Sequence, residues 1–245
     1  MNIILLAAHE VAKDSRVRLP ASDRRAWHVR AILRAGVGQS LRVGIVDGPS
    51  GQGLVEQSDA DACALACTFD HQAPRPRDVL ILAIPRPRVL LRCVEAAAAL
   101  GFARVIAVRS WRTDKSHVAA SALLSSQLRA HALLGLEQAQ RTHLPAIDVF
   151  PLFKPCVEDH LDAACGNSAR FVADPATTVA ITALPPLRDL AIALAIGPEL
   201  GFTPYELDLL ASRAFVAVSA DPHPLRVETA MAFVFGQLAS LRRPG

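Results

Sequence analysis

The sequence contains no run of 18 uncharged apolar residues, so nothing in it reads as a membrane-spanning helix. The opening "MNIILLAAHEVAKDSR" has no basic start and turns polar too early for a signal peptide; a first strand in a cytoplasmic protein is expected. No GxGxxG or GxxxxGK[ST] occurs, and neither GxSxG nor HExxH is found. Ordinary dinucleotide oxidoreductases, ATPases and the common hydrolases are thereby disfavoured. The five cysteines, Cys63, Cys67, Cys93, Cys156 and Cys165, form no tight ligand cluster with the histidines. Cys63 and Cys67 have the spacing of half a zinc site, but no second half follows, so buried thiols and no metal are expected.

What is present is a chain able to build a real core. Apolar residues make up 51% of the 245, which argues against disorder, and the length suits one large domain or a small domain joined to a larger one. The net charge of +3 hides an uneven distribution. Residues 73–145 carry eleven Lys or Arg against four Asp or Glu, whereas residues 146–245 carry seven against eleven. A second basic stretch, "KDSRVRLPASDRRAWHVRAILR", lies near the start. Two separated basic regions suit nucleic acid, although basic residues also simply keep proteins soluble.

Two rhythms divide the chain. Residues 1–72 read as short strands with one helical segment, "SDRRAWHVRAILR", capped by Ser22 and punctuated by glycine, as in a small barrel. The proline-containing "HQAPRPRD" is a linker. Residues 73–245 alternate apolar strands ("VLILAI", "ARVIAVRS", "RFVADP", "DLAIALAIG", "AFVAVSA") with helices, the pattern of a mostly parallel α/β sheet.

Three segments hold candidate chemistry. "IGPELGFTPYEL" runs from strand through a Gly-Pro turn to a helix opening at Thr203, the kind of strand-end loop where open α/β sheets bind ligands; such turns also occur for structural reasons alone. In "PLRVETAMAF", Arg226 precedes a helix whose first turn Glu228 and Thr229 can cap and whose buried stripe is expected at Ala230, Phe233, Val234 and Leu238. Arg226 either pairs with a carboxylate such as Glu228 or stabilises negative charge on a substrate. Glu137 and Arg141 in "EQAQR" are either an ordinary helix pair or site residues, and Arg109, Arg112 and Lys115 in "RSWRTDKS" can meet phosphate.

Taken in order, "HVRAILRAGVGQSLRVGIVDG", "EQAQRTHLP", "IGPELGFTPYEL" and "PLRVETA" resemble the SPOUT superfamily of methyltransferases, most closely the RsmE family, which methylates N3 of a uridine in small-subunit (16S) ribosomal RNA. The resemblance covers nearly the whole chain. It implies a small N-terminal PUA-like β-barrel domain and an α/β domain, a mostly parallel sheet tied in a trefoil knot. It also implies bent S-adenosylmethionine held by the knotted loops, a homodimer, and ribosomal RNA or the small subunit as partner, with no membrane or DNA. Carried over by position, the cofactor would meet Asp174 and Pro175, then Ile196, Gly197, Pro198, Glu199 and Gly201, then the segment 218–225 including Val218, Ser219 and Leu225. Arg226 would be the catalytic candidate, with Glu137 or Arg141 assisting. Arg24, Arg25, His28, Arg30 and Arg34 would help grip RNA. The chain differs from the family pattern at Asp221 and Gln140, where glycine is usual, and at Trp111 and Leu200. The same scaffold would also serve an inactive RNA-binding or ribosome-assembly protein, or a methyltransferase for another RNA nucleotide.

Overall fold

The computed structural model describes residues 1–118, 120–221 and 223–242. The chain divides into two compact units, one made of Met1–Arg75 with Leu133–Leu144, the other of Pro76–Ala132 with Pro145–Gly245. The linker expected at residues 71–78 is irregular from residue 72 to residue 77. The later return of 133–144 to the first unit was not visible in the sequence, because a helix crossing between units carries no composition break.

The first unit is built on β1 (Ile4–Leu6), β2 (Arg16–Pro20), β3 (Ser40–Ile45), β4 (Ser50–Ser58) and β5 (Ala62–His71). These form one sheet in the order β1-β3-β4-β5-β2, antiparallel except for the β1–β3 pair. Alternation along β2 turns Val17 and Leu19 inward to meet Val43, Val55 and Leu65. At the β4–β5 irregularity a Cβ on Gly51 would stand 1.9 Å from the Thr68 carbonyl oxygen, so only glycine fits. The helical segment is α1 (Arg24–Trp27), continued by a wider turn over His28–Ile32. Its cap is Asp23, whose carboxylate accepts the Arg25 N–H at 2.7 Å, and not Ser22 as expected.

The second unit holds a six-stranded, wholly parallel sheet. Its elements begin with β6 (Asp78–Ala83), α2 (Pro87–Leu100), β7 (Phe102–Val108), α3 (Lys115–Val118) and α4 (Ser125–Ala139), the last reaching into the first unit. There follow β8 (Ala146–Phe150), α5 (Phe153–Pro155), α6 (Leu161–Cys165), β9 (Ala169–Ala173), β10 (Ile192–Ile196), α7 (Pro204–Ala211), β11 (Val216–Val218) and α8 (Val227–Ser240). The helical stretch from α5 to α6 was not anticipated, since "FKPCVEDHLDAAC" mixes proline, charge and small residues. Every residue of β6 and β10 is buried, as a sheet covered on both faces requires.

Strand order β11-β9-β10-β6-β7-β8 reverses the direction of travel between β10 and β6, which opens a crevice at the C-terminal ends of these strands. One face is packed by Phe153, Val157, Leu161 and Leu210. α2 packs against α8, with Phe102 and Phe235 4.3 Å apart between ring centres. α2 buries Leu90, Cys93, Val94 and Ala97 on one stripe and closes on Gly101 at φ 86°. The buried stripe of α8 is Val227, Met231, Val234, Phe235 and Leu238; Phe233, expected inside, is exposed because it falls on the opposite side of this register. This is the α/β arrangement implied by the resemblance, preceded by a small barrel-like sheet. No helix among the described residues is long and apolar enough to cross a membrane.

Candidate functional site at the C-terminal edge of the parallel sheet

Three loops at this edge converge on one cleft. The loop after β9 brings Asp174 and Pro175, the loop after β10 brings 197–201, and the segment after β11 brings Ser219, Asp221 and Leu225. All ten residues expected from the resemblance to hold a cofactor line this cleft, with Val227, Ala230 and Val234 of α8 as an apolar wall. The loops are fastened to each other through the backbone. Asp174 N–H donates to the Val218 carbonyl at 3.0 Å, Ser219 N–H to Val179 at 2.8 Å, and Ile181 N–H to Ser219 at 3.1 Å.

Glycine is required in the β10 loop for steric reasons. A Cβ on Gly197 would lie 3.1 Å from both the Gly201 Cα and the Phe202 nitrogen, and Gly201 itself has φ 69°. Leu200, by contrast, points outward and is 74% exposed. Asp221 is not among the described non-glycine residues with positive φ. Its carboxylate accepts the His223 N–H at 2.7 Å and meets the His223 ring at 2.9 Å, bonds that hold its pKa below the ordinary range. Aspartate thus organises this turn by a side-chain bond. Pro222, in the expected segment, lies outside the described residues.

Arg226 does not line that cleft. It lies in an adjoining one with Arg86, Arg88, Arg92, His117 and Glu228, and the two clefts share Glu199 and Val227. Arg226 is the N-cap of α8, where its carbonyl accepts from Ala230. Its exposed guanidinium has no hydrogen bond or ion pair among the described residues. Glu228, its expected alternative partner, faces Arg92 at 3.8 Å instead. Thr229 is not the cap, because the helix already begins at Val227. The arginines of "PRPRVLLR" were missed in the sequence; the signal was three arginines immediately after an apolar strand, where strand-end ligands bind.

A third cleft at the same edge lies beyond β7 and β8. Arg109 and Trp111 follow β7, Leu152 and Lys154 follow β8, and Thr203, Tyr205 and Glu206 come from the start of α7. Glu206, also missed, is 2% exposed and organises this wall. Its carboxylate accepts Trp111 N–H and Thr203 N–H, each at 2.8 Å, and the Ser110 hydroxyl at 3.2 Å. Arg112 donates to the Leu200 carbonyl, fixing the β7 loop to the β10 loop, and Lys115 is exposed nearby in sequence.

The remaining candidates belong to the first unit, where most serve its interior. Glu137 is buried and paired through both oxygens with Arg24, a partner far away in sequence, one bond being 2.9 Å. Arg25, with a side chain 13% exposed, donates to Glu10 at 2.6 Å, Asp23 at 2.7 Å and the Leu5 carbonyl at 2.7 Å. Arg30 donates to the Asp59 carbonyl at 2.6 Å. Burial lowers the His28 pKa, which keeps the ring neutral near pH 7. Arg34 is exposed with φ 51°. Gln140, at φ 57°, ends α4 in the left-handed turn that glycine usually supplies. All five cysteines are free and buried, and burial pushes Cys93 and Cys156 up to about 12, away from reactive thiolates.

The second unit is thus a parallel α/β sheet with a loop-built cleft at its C-terminal edge and a basic cleft beside it. The chain belongs to the RNA methyltransferase domain family, whose model matches residues 71–239. It is 27% identical to the ribosomal RNA small subunit methyltransferase E of Treponema pallidum, over 94% of this chain and 87% of that protein. The like-named protein of Rickettsia conorii is also 27% identical, over 94% and 92%. Among solved structures, that of the Neisseria gonorrhoeae ribosomal RNA small subunit methyltransferase E bound to S-adenosyl methionine superposes with a TM-score of 0.73 at 18% identity, covering 98% of this chain and 95% of that one. A Legionella pneumophila protein solved with bound SAM gives 0.76 at 21%, covering 98% and 97%. The SPOUT fold implied by the resemblance is therefore the fold of this chain.

Proposed function

We propose that this protein is an S-adenosylmethionine-dependent methyltransferase acting on N3 of a uridine in small-subunit ribosomal RNA, working as a cytoplasmic homodimer. One observation carries the reading: ten residues from three separate loops line one cleft, and an unpartnered arginine stands in the basic cleft that shares Glu199 with it. The relatives' names supply the cofactor and the RNA class.

The cleft residues fit that cofactor. Ile196, Leu225, Val227 and Val234 give apolar surface for a purine, and the loop backbones give hydrogen-bonding groups at close approach. Glu199, Asp174 and Asp221 supply negative charge suited to a cationic ligand. When bound, the cofactor supplies an activated methyl group.

The residues of the chain do the rest. Uridine N3 carries a proton and becomes nucleophilic as negative charge builds on N3, O2 and O4. Arg226 stabilises that charge as the proton leaves to water in the open cleft, while Arg88, like Arg226 without an acceptor among the described residues, holds a neighbouring phosphate. Glu137, already neutralised by Arg24, has the role of holding its own unit together. That unit, PUA-like and built from residues 1–75 with 133–144, adds affinity for RNA through Arg34 and the neighbouring basic segment.

Calorimetric titration with S-adenosylmethionine tests this reading first. Binding at one site per chain, followed by methyl transfer to small-subunit RNA from a strain lacking the modification, is expected. A folded protein that binds no cofactor would instead be a scaffold that binds RNA without modifying it.

A further inference from the structure

The cleft beyond β7 and β8 is not used by the chemistry above. Its exposed surface is unusual for this chain, which has two tryptophans and one tyrosine in all. Trp111 is 87% exposed and Tyr205 57% exposed, and both line it, with Leu152 beside them. Leaving an indole in water is unfavourable unless something covers it. The indole is also not carried on a loose loop. Trp111 N–H is held by the buried Glu206 carboxylate, Thr113 donates to the Ile84 carbonyl at 3.2 Å, and Arg112 is tied to Leu200. A platform is therefore preorganised on the rim of the sheet.

Charge identifies the occupant. Arg109 and Lys154 line the cleft, and the Arg109 guanidinium has no hydrogen bond or ion pair among the described residues. The carboxylates nearby are largely committed. Glu206 is buried among donors, Asp114 accepts the Ser116 N–H at 2.8 Å and its hydroxyl at 2.7 Å, and Glu158 meets Lys154 only at 3.8 Å. Exposed aromatic faces beside the unpaired Arg109 and the loosely paired Lys154 suit a strand that carries both bases and phosphates, because every base has a π-face and every linkage a charge. An apolar protein partner would leave Arg109 without counter-charge.

We propose that Trp111 and Tyr205 form a stacking site for an unpaired base of the RNA, outside the reacting nucleotide, with Arg109 and Lys154 on its phosphates. This rests on the RNA methyltransferase reading and adds a residue pair that selects single-stranded context. Adjacent strands are about 5 Å apart, so the order β10, β6, β7, β8 lays the Arg226 cleft and this platform along one continuous edge of roughly 15 Å. The loop after β6 lines the first and the loop after β7 the second, with Arg88 and Arg109 available to the backbone of the same strand.

The test uses Trp27→Phe full-length protein, in which Trp111 is the single indole. An oligouridylate is expected to quench its emission, whereas an abasic ribose-phosphate strand of the same length is not. Trp111→Ala should weaken oligouridylate binding by about tenfold, with Trp111→Phe restoring most of it and calorimetric binding of S-adenosylmethionine unchanged in both. Equal quenching by the abasic strand, unchanged affinity in Trp111→Ala, or an emission that shifts with protein concentration in the absence of RNA would overturn the proposal, the last by showing that a second copy covers this face. Loss of cofactor binding with quenching intact would sink the methyltransferase reading and leave the platform standing.

Discussion

Arg25 and Arg226 each stand two residues from a carboxylate in sequence, Asp23 and Glu228, and their guanidiniums end in opposite situations. Arg25 has every donor group facing an acceptor of its own unit: Glu10, Asp23 and the Leu5 carbonyl. Arg226 is exposed and unpartnered among the described residues, and its neighbour Glu228 is turned toward Arg92. The contrast extends to the regions around them. In the first unit Arg24 and Arg30 also spend donors internally, on Glu137 and the Asp59 carbonyl. At the sheet edge Arg88 and Arg109 have no such acceptors among the described residues. A basic run therefore says little about a polyanion surface until the carboxylates that fold back onto it are subtracted.

The largest effect is expected where the free guanidinium meets chemistry. Arg226→Ala should reduce methyl transfer by about a hundredfold and leave S-adenosylmethionine binding intact, since the side chain lies outside the cleft proposed for the cofactor. Turnover equal to wild type would end the catalytic assignment. Arg25→Ala should do the reverse, costing about 3 kcal/mol of stability because it strands Glu10 and Asp23 without their counter-charge. Chemical unfolding compared between wild type and variant measures it. A stable Arg25→Ala that had lost RNA affinity would invert the comparison.

The acid limb of stability sharpens the same contrast. Arg25 holds both carboxylates below their ordinary values of 4.5 for Glu10 and 3.8 for Asp23, chiefly through its side-chain hydrogen bonds. Both folded pKa values lie below the unfolded ones, so this contribution is complete above about pH 4.5 and is lost as pH falls through the folded values. The stability gap between wild type and Arg25→Ala should therefore narrow steadily below that pH. Unfolding followed through Trp27, in a Trp111→Phe background, reads the first unit alone. A gap that stayed constant down to pH 3 would mean the two carboxylates do not take their charge from Arg25.

The parts of this architecture that could be read in the sequence were those set by short-range physics. The apolar runs of β6 and β10 declare burial on both faces, and Thr203 declares a helix start, which the structure closes by a reciprocal pair of bonds with Glu206. The residues that the resemblance implies for a cofactor come from three loops, and these loops line one cleft. What stayed hidden depended on long-range partners. Nothing in "EQAQR" reveals that Glu137 is claimed by an arginine 113 residues earlier. The cap at Asp23 displaced Ser22 because its carboxylate also serves Arg25. Phe233 and Met231 exchanged roles through a small rotation of the α8 register, which a helix apolar on several sides does not determine.

The smallest expected effect separates phosphate contact from mere positive charge. For single strands, each phosphate neutralised contributes about 0.7 to the slope of log affinity against log salt. Arg88→Ala should lower that slope by about this amount for single-stranded RNA, because the side chain is exposed in the Arg226 cleft with no competing acceptor among the described residues. Arg25→Gln removes the same formal charge, yet should leave the slope unchanged wherever the variant is folded, since its guanidinium already faces Glu10 and Asp23. Equal slopes for the two variants would mean that RNA responds to total charge and not to the free arginines of the sheet edge. A slope lowered only by Arg25→Gln would move the RNA surface to the first unit.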